Sequence, residues 1–158
     1  MPTVEVIDPP TLGKPNSLYG AITAARLSQS TTLYTISGQV AQDPVSGAVP
    51  AGLSAQLPVC LRRIDLCLEH IGAKKTDITR LMYYIRQGDV DDYEAAEGHG
   101  SALKLIGGVV GKWLEGHRPA SCYNRSLGMS DDRYACEFEA MVVLSQEEAG
   151  LLQWLANQ

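Results

Sequence analysis

Leu33-Tyr34-Thr35-Ile36-Ser37-Gly38-Gln39, followed three residues later by Asp43-Pro44-Val45-Ser46-Gly47, is the stretch from which the fold is read. Its first part is rich in β-branched and aromatic residues and predicts a strand over Thr31–Ser37. Its second part has proline at the second turn position, where a preset φ is an advantage, and glycine at the end. Ahead of the strand, Ser28-Gln29-Ser30 is short and polar. The strand candidate Tyr19–Leu27 therefore becomes the other arm of a hairpin. Val4 and Val6 alternate within Thr3–Ile7, which reads as one more short strand before a Pro- and Gly-rich loop.

Downstream of the turn the hydrophobic period changes. Leu57, Leu61, Ile64, Leu68 and Ile71 recur at steps of three and four, predicting a helix over Ser54–His70. Pro58 is expected near its first turn, where a missing N–H costs little, and Gly72 is expected to stop it. Ile78–Arg86 reads as a strand, and Asp92–Leu114 as a second helix. That helix contains Gly98, Gly100, Gly107, Gly108 and Gly111, each costing about 1 kcal/mol relative to alanine. Close packing of the face shared by Gly100, Gly107 and Gly111 is one explanation, and a break near Gly107-Gly108 is the other. Ala120–Leu127 and Tyr134–Val143 are the last strands, joined around Ser130-Asp131-Asp132. Ser145 and Glu148 form a capping box that opens a closing helix. The predicted order is β-β-β-α-β-α-β-β-α, with right-handed crossovers placing both long helices on one face of a mixed sheet.

The 158 residues suit one domain with an ordinary core. A net charge of −5 argues against a nucleic-acid footprint, which needs clustered cations. The pairs Arg62-Arg63 and Lys74-Lys75 read as solvated positions. Met1–Pro10 has neither a cationic start nor an apolar core, and no apolar run approaches the ~20 residues of a membrane span. A cytoplasmic protein is expected. The four cysteines, Cys60, Cys67, Cys122 and Cys136, form no CxxC pair, so no metal site is predicted. Cys60 and Cys67 share a helix face and read as buried, reduced thiols.

No spacing motif announces a catalytic centre. His70, His99 and His117 are scattered and read as surface or cap residues. Glu137 and Glu139 are more informative, because both lie on one face of an apolar strand. A carboxylate there is costly unless paired or functional. An ion pair with Arg125 on the neighbouring strand is the alternative.

The ordered pieces have a family resemblance. The strand ending in Ser37-Gly38-Gln39 and the turn Asp43–Gly47 resemble the SGQ strand and DPxTG turn of the Rid family, the YjgF-like reactive-intermediate deaminases also known as endoribonuclease L-PSP proteins. Gln56 matches that family's helix-opening glutamine, and His70–Ala73 with Asp77-Ile78 resembles its AAG and D-V/I stretch. Asp89–Tyr93, Arg118-Pro119-Ala120-Ser121 (against PARS) and Cys136–Ala140 (against VEIEA) continue the match, which spans about residues 16–144. The resemblance implies an α+β, chorismate-mutase-like mixed sheet with two helices on one face, here with the closing helix as an extension. It also implies a homotrimer with a cleft at each subunit interface, no cofactor, and hydrolysis of imines and enamines.

Carried over by position, the resemblance makes Glu137 the catalytic residue and Tyr19, Ser37 and Gly38 substrate-binding residues. Two positions depart from the pattern. Ser121 stands where the family has the arginine that forks onto a substrate carboxylate, and Glu97 stands where it has an asparagine. Tyr123 and Arg125 share a strand face with Ser121 and join the candidate cleft, although Arg125 lies roughly 13 Å along the strand at ~3.3 Å per residue. The expected function is a deaminase-type hydrolase acting on a small, carboxylate-free, non-amino-acid substrate. A ligand-binding or regulatory homotrimer without turnover and a specialised cyclisation or isomerisation are the alternatives.

Overall fold

The computed structural model describes residues 4–145. Its strands are β1 (Val4–Ile7), β2 (Ile22–Arg26), β3 (Thr31–Val40), β4 (Ile78–Arg86), β5 (Ala120–Ser126) and β6 (Cys136–Ser145). Its helices are α1 (Leu53–Ile71), α2 (Gln87–Glu97) and α3 (Ser101–Leu114). One six-stranded sheet runs β1-β2-β3-β6-β4-β5. Only β4 and β5 are parallel; every other neighbouring pair is antiparallel.

The β2–β3 hairpin forms as its turn chemistry demands: Ser28 Oγ accepts the N–H groups of Ser30 and Thr31 at 3.2 and 3.0 Å. Asp43 Oδ1 accepts the Val45 and Ser46 N–H groups at 3.1 and 2.6 Å, and Gly47 takes φ +71°. Cys136, Phe138, Ala140 and Val142 alternate along β6 and are buried. With Ile22, Ile36, Leu81 and Ile85 they meet Leu57, Leu61, Ile64 and Leu68 of α1 and Ile106 and Val110 of α3 in one core. Cys60, Cys67 and Cys136 are buried free thiols in that core.

Gln56 is a buried polar side chain, 1% exposed, and its amide is fully used. Its Nε2 donates to the carbonyls of Pro50 and Arg133, at 2.8 and 2.7 Å, and its Oε1 accepts the Ala135 N–H at 2.8 Å. These bonds clamp the start of α1 to the start of β6.

Several expectations need correction. β2 begins at Ile22 rather than Tyr19, because Asp8 Oδ1 takes the Ala21 N–H at 2.8 Å and β1 runs no further than Ile7 opposite Ile22. The second helix is two helices, so three α-helices rather than two accompany the sheet. The break falls at Gly98 and Gly100, with φ +95° and +77°, not at Gly107-Gly108. Nor is close packing the reason for Gly107 and Gly111, since a Cβ at either would meet nothing within 4 Å. Pro58 lies past the first turn of α1, where its missing N–H is no longer free of cost. β5 and β6 are not neighbours, because β4 lies between them. Ser145 ends β6, and the remainder of the expected closing helix lies outside the described residues. No described helix is long and apolar enough to cross a membrane.

Candidate functional site

β3 outruns β2. Pairing with β2 ends at Ile36, whereas β3 continues to Val40 against β6. The β3–β6 register shifts between Ile36 and Gln39, so Ser37 and Gly38 form an irregular step beside a free strand edge. Ser37 is tied down there: its N–H donates to Ala21 O at 2.9 Å and its hydroxyl to Gly20 O at 2.8 Å.

Gly38 is required by what faces it. A Cβ at this position would sit 1.6 Å from Glu137 Oε1, so the carboxyl group occupies the space a side chain would fill. Glu137 lies opposite Val40 and Tyr84, on the sheet face away from the core. It is half-buried and has no ion-pair partner among the described residues. Burial, and then the negative charge of Glu139, push its pKa above the ordinary glutamate value.

Glu137 lines a cavity of about 310 Å³ at the uncovered edge of β3, within the size range of small-molecule sites. Tyr19, Gly38, Gln39, Arg63 and Tyr134 also line it, and the loop from Asp8 to Asn16 closes it. On its other side Glu137 borders a second hollow of about 230 Å³, with Tyr84, Ser126 and Glu139. The Glu139 charge is the first cause that raises the Tyr84 pKa.

The predicted residues therefore divide. Glu137, Gly38 and Tyr19 come together, with Ser37 as a strut beside them. Ser121, Tyr123 and Arg125 do not join them within the chain. They lie opposite Leu81, Tyr83 and Ile85, whereas Glu137 lies opposite Tyr84, so the two groups occupy opposite faces and are separated by β4. Tyr123 packs on Tyr83 with ring centroids 5.7 Å apart, and Arg125 Nε donates to Tyr123 Oη at 3.2 Å. The suggested Arg125–Glu137 ion pair does not form, because Arg125 is not on the neighbouring strand. Ser121 is exposed and donates to its own loop, at Pro119 O, 3.2 Å away. Glu97 is exposed at the end of α2 and lines neither cavity.

Arg63 is the residue the sequence reading missed. Its neighbour Arg62 is a surface residue paired with Glu69, as expected of a solvated pair. Arg63 is half-buried instead, with Nε donating to Gln39 Oε1 at 3.2 Å and Nη1 to Gln42 O at 2.9 Å. The signal was its spacing: position 63 lies between Cys60 and Cys67 at helical steps of three and four, on a face that turns inward.

No protein-family model matches the sequence, and no curated protein matches it either. Solved structures do. The YjgF gene product of E. coli matches with a TM-score of 0.66 at 20% identity, over 88% of this chain and 98% of that one. The fold is that of the YjgF-like proteins. E. coli TdcF, solved with bound serine, matches at 0.68 and 20% identity over 89% and 99% of the two chains. RidA from an Antarctic Psychrobacter matches at 0.67 and 17% identity over 87% and 98%. The chain thus spans nearly the whole length of each YjgF-like structure, and the likeness is one of fold.

Proposed function

We propose that the protein hydrolyses a small imine or enamine in the cavity at the β3 edge, with Glu137 moving the protons. The observation that carries this is Glu137 itself: a half-buried carboxyl against Gly38, with no ion-pair partner among the described residues and with a raised pKa, facing space that fits a metabolite. A carboxyl whose proton is held more tightly than that of a free glutamate is suited to act as an acid and, once ionised, as a base. Protonated Glu137 donates to the imine nitrogen. The resulting carboxylate takes a proton from a water as its oxygen bonds to the iminium carbon. That proton then passes to the nitrogen; as the carbon–nitrogen bond breaks, the new hydroxyl returns its proton to Glu137, and a carbonyl compound and ammonia leave. The resemblance to the Rid family supports this chemistry, and the YjgF-like fold is consistent with it. The serine bound in TdcF supports a ligand of amino-acid size.

The expectation of a carboxylate-free substrate rested on Ser121 in place of the family's arginine, with Glu97 adding to it. Within one chain, neither Ser121 nor Glu97 lines the cavity that Glu137 lines.

The test is a coupled assay in which a serine or threonine dehydratase releases its imine and keto-acid formation is followed. The protein should accelerate that step, and Glu137→Gln should slow it by about 10²–10⁴-fold, the usual contribution of a positioned acid–base group. Equal rates with wild type and Glu137→Gln would refute the assignment. Saturable binding without acceleration would move the protein to the ligand-binding reading.

A further inference from the structure

Arg63 is a half-buried cation without an ion pair among the described residues; the Asp43 carboxylate acts on it only from beyond ion-pairing distance. Among the described residues its hydrogen bonds go to neutral oxygens, Gln39 Oε1 and the Gln42 carbonyl. Among the described residues no carboxylate lies within ion-pairing distance of it. A guanidinium has five N–H donors, so these bonds leave most of them unassigned. Burial pushes the Arg63 pKa down, as expected of a charge removed from water without a paired anion.

Its orientation is built in. Gln39 is 3% exposed, and its Nε2 donates to Ser37 O at 3.0 Å, which turns its Oε1 toward Arg63. The end of β3 therefore holds one side of the guanidinium. Arg63 lines the same cavity as Glu137. Gln39 lies opposite Phe138 on the core side and Glu137 opposite Val40 on the other, so Arg63 and Glu137 approach the cavity from the two sides of the uncovered β3 edge.

We propose that Arg63 is the anion-binding residue of this cavity, and that the substrate is a small molecule bearing a carboxylate. A planar fork of donors with one side held is suited to bidentate recognition of that group. The other charges lining the cavity permit it. Lys14 adds a second cation, and Asp8 already accepts the Ala21 N–H. Burial and Glu139 raise the Glu137 pKa above the ordinary glutamate value, which weakens its opposition to an anion. The proposal rests on the reading of this cavity as the reaction site, and it departs from the carboxylate-free substrate expected from Ser121 and Glu97.

Pyruvate and pyruvamide, equal in shape and different in charge, are the probes. Their binding to the full chain is followed by backbone amide NMR shifts, with no turnover required. Pyruvate should saturate the shifts of Gly38 and Gln39, and pyruvamide should bind at least tenfold more weakly. Arg63→Gln should lower pyruvate affinity by about tenfold to a hundredfold, the range for a charge-assisted hydrogen-bonded pair. Equal wild-type affinity for the two probes, no saturation by pyruvate, or undiminished pyruvate binding in Arg63→Gln would each overturn the proposal. The wild-type comparison stands even if the variant fails to fold. Arg63-dependent pyruvate binding in a protein that hydrolyses no imine would keep this inference and remove the hydrolase reading. Imine hydrolysis by a protein that does not distinguish the probes would do the reverse.

Discussion

At Gly38 the absence of a side chain makes room for Glu137, and the pair yields two predictions. Gly38→Ala would put a Cβ 1.6 Å from Glu137 Oε1. The group that must yield is the far end of a flexible side chain, so the fold should survive while the carboxyl is displaced. Imine hydrolysis should fall by about two orders of magnitude, approaching the Glu137→Gln level, with a cost in stability of about 1 kcal/mol. Kinetics and urea unfolding measure both, and wild-type turnover in Gly38→Ala would place the chemistry elsewhere. The second prediction concerns pH. The folded state binds the Glu137 proton more tightly than the unfolded chain, because burial and Glu139 raise its pKa above 4.5. Glu137's contribution to stability is thus fully present below the unfolded pKa and lost as pH rises through the folded one. Glu137→Gln stays neutral throughout. It should melt higher than wild type at pH 8, by roughly 2–4 °C for each kcal/mol gained, with the gap closing toward pH 4. A wild type that melts as high at pH 8 would reveal a partner for the carboxylate.

The helical run between β4 and β5 shows how one residue type serves opposite purposes. Gly100 has φ +77° and caps the start of α3, whereas Gly107 lies inside α3, exposed, without a positive φ. Gly100→Ala should cost about 1–2 kcal/mol for forcing a Cβ into the left-handed region. Gly107→Ala should instead gain about 1 kcal/mol, because the backbone is already helical and a Cβ meets nothing within 4 Å. Urea midpoints of the two variants should move in opposite directions, and a shift of the same sign would mean the helix break is misplaced. Composition in this run showed that glycines weaken a helix. Which of them ended it depended on φ values that no periodicity reports. α1 was far more legible, since its apolar stripe and the Gly72 stop lie within one element.

For the whole molecule, the sheet face opposite the helices bears on assembly. Leu33, Met82, Met141 and Val143 lie on that face with Glu137 and Glu139, partly exposed and outside the buried core formed with the helices. Such a layer normally takes a cover. We propose that two further copies of the chain supply it, giving the homotrimer implied by the family resemblance. Light scattering at micromolar concentration should give three times the 17.1 kDa chain mass. A charged substitution such as Met141→Asp should lower that mass while leaving α1 and its core intact by circular dichroism. A wild type that scatters as a monomer would rule the assembly out and leave the cavity within one chain as the complete site.

Sequence alone determined the strands and α1, the inward faces of α1 and β6, and the suspicion attached to Glu137. Each depends on a local period or on one residue's chemistry among its near neighbours. The tertiary structure decided which strand lies beside which, and with it the membership of the site. Alternation says which residues share a face of their own strand. It does not say that β4 lies between β5 and β6, or that Ser121 and Glu137 are out of phase across it. Pairing and phase come from hydrogen bonds between residues far apart in the chain. Arg63 illustrates the same limit: beside Arg62 it reads as a surface charge, and only the packing of α1 against the end of β3 brings it to Gln39 and the cavity.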